Sequence, residues 1–136
     1  MFEKSVEELT ELGAQITTAE IAQQPELWRD TLNIYRENKE AIEAFLAGGR
    51  LSVVFTGAGT SDYVGDTCAP YLRHAGNTDL YDFKPIATTD IVSAPRDFLR
   101  AEDPTLVVSF ARSGNSPESL AAVAVEGECV CVDGPV

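Results

Sequence analysis

The stretch at positions 104–125 constrains the fold of this chain more than any other. It reads PTLVVSFARSGNSPESLAAVAV, in which the apolar run Thr105–Val108 precedes a small, polar segment at 112–116 and then an apolar helical pattern. Ser116 stands where a helix N-cap belongs, and Pro117 occupies the first helical position. The pattern therefore predicts a strand, a loop and a helix start. Because a helix N-terminus carries unpaired N–H groups and partial positive charge, we expect this loop to bind an anion, with phosphate favoured.

A second strand, turn and helix precede this stretch. The apolar run Leu51–Phe55 leads into the glycine-rich segment TGAGTS at 56–61, and a helical pattern follows at 62–74. Strands that alternate with helices predict a parallel sheet with right-handed crossovers. Ligands of such sheets bind beyond the carboxyl ends of the strands. Since both loops directly follow strands, we expect them to project from the same edge of the sheet.

The glycine-rich loop admits more than one interpretation. Its G-x-G spacing is typical of dinucleotide-binding loops, but the third glycine of G-x-G-x-x-G would fall at Asp62, whose carboxylate opposes a pyrophosphate. A cradle of backbone N–H groups and the hydroxyls of Thr60 and Ser61 fits the loop better. One structural alternative stays open, in which the glycines only permit a tight turn and Ser61 or Asp62 caps the helix.

The flanking segments carry weaker patterns. Residues 1–16 are mixed and polar and predict a loosely packed arm, whereas the capping-box form at 17–20 predicts a short helix that Pro25 interrupts or restarts. From Glu26 to Gly48-Gly49, apolar residues recur at helical spacing and predict a long amphipathic helix that packs on the core, although such a helix can also form a dimer contact. Further expected elements are a less buried strand at 77–85, a short helical turn from Thr88, and a last short strand at 129–132.

The composition excludes several classes of function. With 22 acidic and 10 basic residues, the net charge of −12 repels nucleic acid, whereas a few local donors still suffice for a small phosphorylated ligand. Cys68, Cys129 and Cys131 lack metal-ligand spacing and are interpreted as buried thiols in a reducing compartment. The first residues do not form a secretory signal, and no run has the length of a membrane span. We therefore expect a cytoplasmic protein that binds neither nucleic acid nor membrane, and no metal site.

Taken together, the two loops resemble those of sugar isomerase (SIS) domains. FTGAGTS at 55–61 is similar to the first loop of the family, and SFARSGNSPES at 109–119 is similar to the second, usually written S-x-S-G-x-[ST]-x-[ED]. The wider run from Ala87-Thr88-Thr89-Asp90 through Pro95-Arg96 to Ala121-Ala122-Val123 resembles the tagatose-6-phosphate ketose/aldose isomerase branch, which includes galactosamine-6-phosphate deaminases. The similarity covers residues 20–125, and the second loop is its most specific part.

This resemblance implies a flavodoxin-like three-layer α/β/α sandwich with a parallel sheet, in which both loops hold the phosphate of a sugar phosphate. By position, the hydroxyls of Ser61, Ser113 and Ser116 and two backbone N–H groups of the second loop would contact the phosphate. An arginine of the same loop would add a supporting charge, while alanine occupies position 111, where related domains often have serine. The implied phosphate-binding residues are Gly59, Thr60, Ser61, Arg112, Ser113, Gly114, Asn115 and Ser116.

The resemblance also implies an activity. Members of this branch interconvert aldose and ketose sugar phosphates, with or without loss of the C2 amino group as ammonia, by a base that moves a proton and without a metal or nicotinamide cofactor. Here His74 and Glu118 are poor candidates for that base. Because family members are longer and carry two SIS domains, we expect the catalytic acid and base to be missing from this chain, and its catalytic residues stay unknown.

Besides the interpretation as part of a sugar-phosphate isomerase or deaminase, two other functions stay open. One is a non-catalytic SIS module that senses a sugar phosphate, and the other is a nucleotide-binding α/β domain, which Asp62 opposes. The expected organisation is an N-terminal helical segment at 1–47 followed by the first part of a SIS domain at 48–136. An incomplete sheet leaves an unpaired edge and uncovered apolar surface, so a homo-oligomer is expected.

Overall fold

A computed structural model of the protein describes residues 4–100 and 102–126. The chain divides into two compact units, Met1–Phe45 and Leu46–Val136. The strand expected at 129–132, with two of the three cysteines, lies outside the described residues. Within the described part of the chain, no helix combines the length and the apolar character that a membrane crossing requires.

The first unit is helical from near its start, which the expectation of a loosely packed arm at 1–16 did not include, although no side chain of its first helix is buried. Helix α1 spans Val6–Glu11 and begins with a capping box, in which the Ser5 side chain accepts the Glu8 N–H and the Glu8 carboxylate accepts the Ser5 N–H. This box is the signal that the sequence interpretation missed. It satisfies two N–H groups that a helix start otherwise leaves unpaired.

Helix α2 runs without interruption over Gln15–Leu46, which corrects the prediction of a short helix ended by Pro25. The capping box expected at 17–20 does not form, because Thr18 already lies inside the helix and its hydroxyl donates to the Ala14 carbonyl at 2.9 Å. Residues of high helix propensity on both sides of Pro25 stabilise the helix, although proline has no N–H group to donate. The amphipathic pattern after Glu26 and the helix end before Gly48-Gly49 are confirmed.

Helix α2 has several large apolar side chains that are exposed. Trp28, Leu32, Tyr35 and Phe45 are all exposed, and none of the described side chains of α2 is buried. The expected packing of this helix on the core stays a prediction.

Among its described residues, the second unit contains a three-stranded parallel sheet with the order β2-β1-β3. Strand β1 spans Leu51–Gly57, β2 spans Tyr81–Pro85 and β3 spans Thr105–Phe110. The central position of β1 explains why it is the most buried strand, with an almost continuous apolar run, as parallel strands covered on both faces require. The predicted parallel α/β architecture is confirmed.

Helices follow each strand of this sheet. Helix α3 spans Thr60–Ala75 after β1, α4 (Thr88–Ser93) and α5 (Pro95–Phe98) follow β2, and α6 (Pro117–Glu126) follows β3. These bounds agree with the expected helix at 62–74 and the helical turn from Thr88, while β2 begins four residues later than position 77.

Alternation along β1 builds a core on each face of the sheet. Val53 and Phe55 pack on one face with Phe83 of β2 and Ala69 of α3. Val54 lies on the other face, in a cluster with Ile86 and with Ile91 of α4. Helical layers therefore cover β1 on both sides, and the carboxyl ends of the strands are left for the loops.

Candidate functional site

The two predicted loops leave the sheet side by side. Strands β1 and β3 are hydrogen-bonded neighbours, and their register places Thr56 opposite Ser109 and Gly57 opposite Phe110. Both strands end at this register position. Because they are parallel, the segments 58–59 and 111–116 emerge from the same edge of the sheet, as the sequence pattern predicts.

The structure requires glycine at two positions of the first loop, for two different reasons. A Cβ at Gly57 would lie 2.5 Å from the Ser61 carbonyl carbon and 2.8 Å from the Asp62 nitrogen, so only glycine lets β1 pass this close to the start of α3. Gly59 has a φ of 60° and a ψ of −124°, which strongly favours a residue without a side chain. Together they fold the loop back over the helix N-terminus.

A third glycine of this motif escaped the sequence interpretation. A Cβ at Gly65 would lie 3.0 Å from the Cβ of Phe55, so this glycine permits close packing between α3 and β1. The dinucleotide pattern assigns that packing role to position 62, where this chain has aspartate. In the sequence, the signal for this close packing is Gly65, which lies about one helical turn after position 62.

The start of α3 has no side-chain cap. Its N-cap is Gly59, so the alternative in which Ser61 or Asp62 caps the helix is wrong. The N–H groups of Ser61 and Asp62 bond to the carbonyls of Ala58 and Gly59 at 3.3 and 3.1 Å. The hydroxyls of Thr60 and Ser61 make no hydrogen bond within the described residues, which leaves both available to a ligand.

The second loop is exposed and built around a left-handed glycine. Gly114 has a φ of 64°, and the Asn115 N–H donates to the Ser113 hydroxyl over a long 3.4 Å. The positions 112–115 are all exposed. The backbone and the Ser113 side chain are thus open to an approaching anion, and Arg112 brings positive charge to the same loop.

Ser116 caps α6, as the sequence predicts. Its hydroxyl accepts the Ser119 N–H at 3.2 Å and lies 2.9 Å from the Ser119 hydroxyl, while Pro117 begins the helix. When the Ser119 hydroxyl is the donor of this pair, the proton of Ser116 is free for a ligand. A phosphate role for Ser116 would therefore be combined with a structural one.

Acidic side chains lie beside the first loop. Burial raises the pKa of Asp62 above its ordinary value of 3.8, and the nearby carboxylates of Asp66 and Asp90 raise it further. Asp66 follows on α3, but Asp90 comes from α4, so the connection after β2 also reaches this region. The site is therefore a pair of donor-rich loops next to a patch of negative charge.

The neutral variant Asp62→Asn is expected to strengthen anion binding and to raise stability at neutral pH. Because the folded pKa is raised, the cost of the ionised carboxylate is absent below the ordinary pKa and grows as the pH rises through the folded value. Thermal unfolding of variant and wild type should coincide near pH ~3 and separate above pH ~5, with the variant more stable. Its affinity for inorganic phosphate should rise by up to about tenfold.

Asp79→Asn is the matched control, since Asp79 is an exposed residue before β2, at the opposite edge of the sheet. It removes the same charge and should change neither property appreciably. Equal effects of the two variants would show that net charge alone, and not the position of Asp62, controls binding.

The two side chains considered as a possible base, His74 and Glu118, lie on different helices. His74 is exposed in the last turn of α3, about 20 Å along the helix axis from its N-terminus. Glu118 lies exposed in the first turn of α6. The arrangement of donors is suited to holding an anion, and His74 lies far along α3 from Ser61.

Comparisons with known proteins agree with the loop geometry, although no protein-family model matches the chain. It is 42% identical over 129 residues to the D-galactosamine-6-phosphate deaminase AgaS of Shewanella sp. (strain ANA-3), which covers 93% of this chain and 33% of that protein. The corresponding protein of Escherichia coli O157:H7 is 41% identical over 119 residues, or 84% of this chain and 30% of that protein.

Two solved structures share the fold. A Clostridium novyi protein described as a tagatose-6-phosphate ketose/aldose isomerase matches with a TM-score of 0.82 and 42% identity, over 93% of this chain and 33% of its own. Tagatose-6-phosphate ketose/aldose isomerase from Escherichia coli matches with a TM-score of 0.66 and 38% identity, over 79% of this chain and 30% of its own.

The chain spans about a third of the length of the relatives it matches. Over that span both loops and the parallel strands that carry them are present. These matches confirm the resemblance of the chain to the SIS family of sugar isomerase domains, in the branch of galactosamine-6-phosphate deaminases and tagatose-6-phosphate ketose/aldose isomerases.

Proposed function

We propose that this protein binds the phosphate group of a sugar 6-phosphate between its two loops. The observation that carries the proposal is the adjacency of β1 and β3, which brings an uncapped helix start and an exposed serine-rich loop to one edge of the sheet. Hydroxyls of Thr60, Ser61 and Ser113 and backbone N–H groups of the second loop would share the oxygens of one dianion. Arg112 would offset part of the negative charge nearby.

The substrate class follows from the names of the relatives. These proteins act on galactosamine 6-phosphate or tagatose 6-phosphate by name, so we infer a hexose or hexosamine 6-phosphate as ligand. The reaction would be aldose–ketose interconversion, with or without release of ammonia. This chain would supply the phosphate-binding part, and the proton-transferring groups would come from residues outside those described or from a second subunit.

A non-catalytic sugar-phosphate sensor is the second candidate. It is favoured by the distance of His74 from the start of α3, where the first loop lies. In either case we propose a cytoplasmic protein. We also propose that it self-associates, because β3 has a neighbour on only one side among the described residues and α2 exposes large apolar side chains.

Calorimetric titration with galactosamine 6-phosphate, tagatose 6-phosphate and unphosphorylated galactosamine tests the proposal. We expect saturable binding of both phosphates and none of the free sugar, because the loops contact the phosphate. Equal binding of galactosamine and its 6-phosphate would contradict a phosphate site. Release of ammonia or formation of the ketose would then separate an enzyme from a sensor.

A further inference from the structure

Two threonines next to the first loop are buried. Thr56 is 1% exposed and Thr88 is 2% exposed, and they are the buried polar residues among those described. Thr56 is the penultimate residue of β1, and Thr88 is the first residue of α4. Their hydroxyl oxygens lie 3.2 Å apart, within hydrogen-bond distance.

This pair does not use all of its protons. Two hydroxyls carry two donor protons, and the bond between them consumes one. Neither side chain makes another hydrogen bond within the described residues. A buried donor without an acceptor costs free energy, and such groups in native proteins generally have a partner, either protein, water or ligand. One hydroxyl proton of the pair is therefore uncommitted.

The position of the pair connects it to the loops. The Ile86 N–H bonds to the Phe55 carbonyl at 3.0 Å, so the chain after β2 is held against the end of β1 on the backbone as well. Thr56 is also in register with Ser109 of β3, which lies two residues before the second loop begins. Residues in register project from the same face of the sheet, so the side chains of Thr56 and Ser109 lie on one face near its carboxyl end.

We propose that the Thr56–Thr88 pair is a polar element of the sugar-phosphate site, which holds the start of α4 to the end of β1 and donates its uncommitted proton to a ligand oxygen. The inference rests on the proposed function and deepens it. A purely structural pair and a ligand-binding pair respond differently when the hydroxyls are removed singly or together.

The test compares Thr56→Val, Thr88→Val, the double variant and the conservative Thr56→Ser in thermal unfolding and in titration with galactosamine 6-phosphate. Each single valine variant leaves the remaining threonine hydroxyl without its partner, so both the Tm and the affinity for galactosamine 6-phosphate should fall. The double variant leaves no unpaired hydroxyl, so its Tm should recover toward wild type. Its affinity should nevertheless stay at least about fivefold below wild type, whereas Thr56→Ser should stay within about twofold.

The double variant decides the matter even if a single variant fails to fold. A double variant that binds galactosamine 6-phosphate as tightly as wild type, or an affinity that follows Tm through the whole set, would overturn this inference alone. A wild-type protein that binds no sugar phosphate would instead overturn the proposed function, and the inference with it.

Discussion

Replacing Gly57 with alanine is expected to destabilise the protein by about 3 kcal/mol and to abolish binding of sugar phosphate. The added methyl group would lie 2.5 Å from the Ser61 carbonyl carbon and 2.7 Å from its oxygen, and both are backbone atoms that cannot rotate away. Relief requires α3 to move away from β1, which displaces Thr60 and Ser61 together. Chemical denaturation and calorimetric titration measure the two losses.

Gly49→Ala is the matched control for this change. Gly49 has a φ of 124°, but a Cβ there meets no atom within 4 Å, and it precedes β1 at the opposite edge of the sheet. The control should lose about 1–2 kcal/mol of stability from backbone strain and keep its affinity for sugar phosphate. If Gly57→Ala behaved like the control, the close approach of β1 and α3 would not shape the site.

Removing the Ser113 and Ser116 hydroxyls together is expected to weaken sugar-phosphate binding at least about a hundredfold, because each charge-assisted hydrogen bond contributes roughly 1.5–3 kcal/mol. Stability should fall by only about 1 kcal/mol, since Ser116 alone caps α6 through the Ser119 N–H. Titration and thermal unfolding of Ser113→Ala/Ser116→Ala separate these effects. Unchanged affinity in a folded variant would exclude these serines from the site.

Ser116→Asp separates the cap from the anion site at a single position. Aspartate is as good an N-cap as serine and interacts favourably with the helix N-terminus, so α6 should be as stable as in the wild type or more so. Its carboxylate would repel a phosphate, and binding should be lost. Retained binding in Ser116→Asp would mean that Ser116 serves the helix only.

The sequence predicted the second loop well because its signals are local. Ser116 and Pro117 define a helix start through their own chemistry, and the apolar run at 105–108 defines a strand wherever it pairs. The adjacency of the two loops also followed from a general rule, since parallel sheets place the carboxyl ends of their strands at one edge.

Other features depended on contacts that no local pattern encodes. Asp90 approaches Asp62, and Thr88 pairs with Thr56, because α4 folds back against the end of β1. The sequence pattern did not predict that α2 continues through Pro25, because proline was judged by its local effect alone. The many helical hydrogen bonds on both sides of Pro25 outweigh the one that proline removes. The glycine that packs α3 on β1 was sought at position 62 and is Gly65.

The most direct test of the central claim is an amide NMR titration of the protein with galactosamine 6-phosphate. If both loops bind one phosphate, the N–H signals of 59–61 and 113–116 should shift together with a single dissociation constant, while those of α2 stay in place. Inorganic phosphate should shift the same amides at higher concentration. Shifts confined to one loop, or two loops that titrate with different constants, would contradict a shared phosphate site.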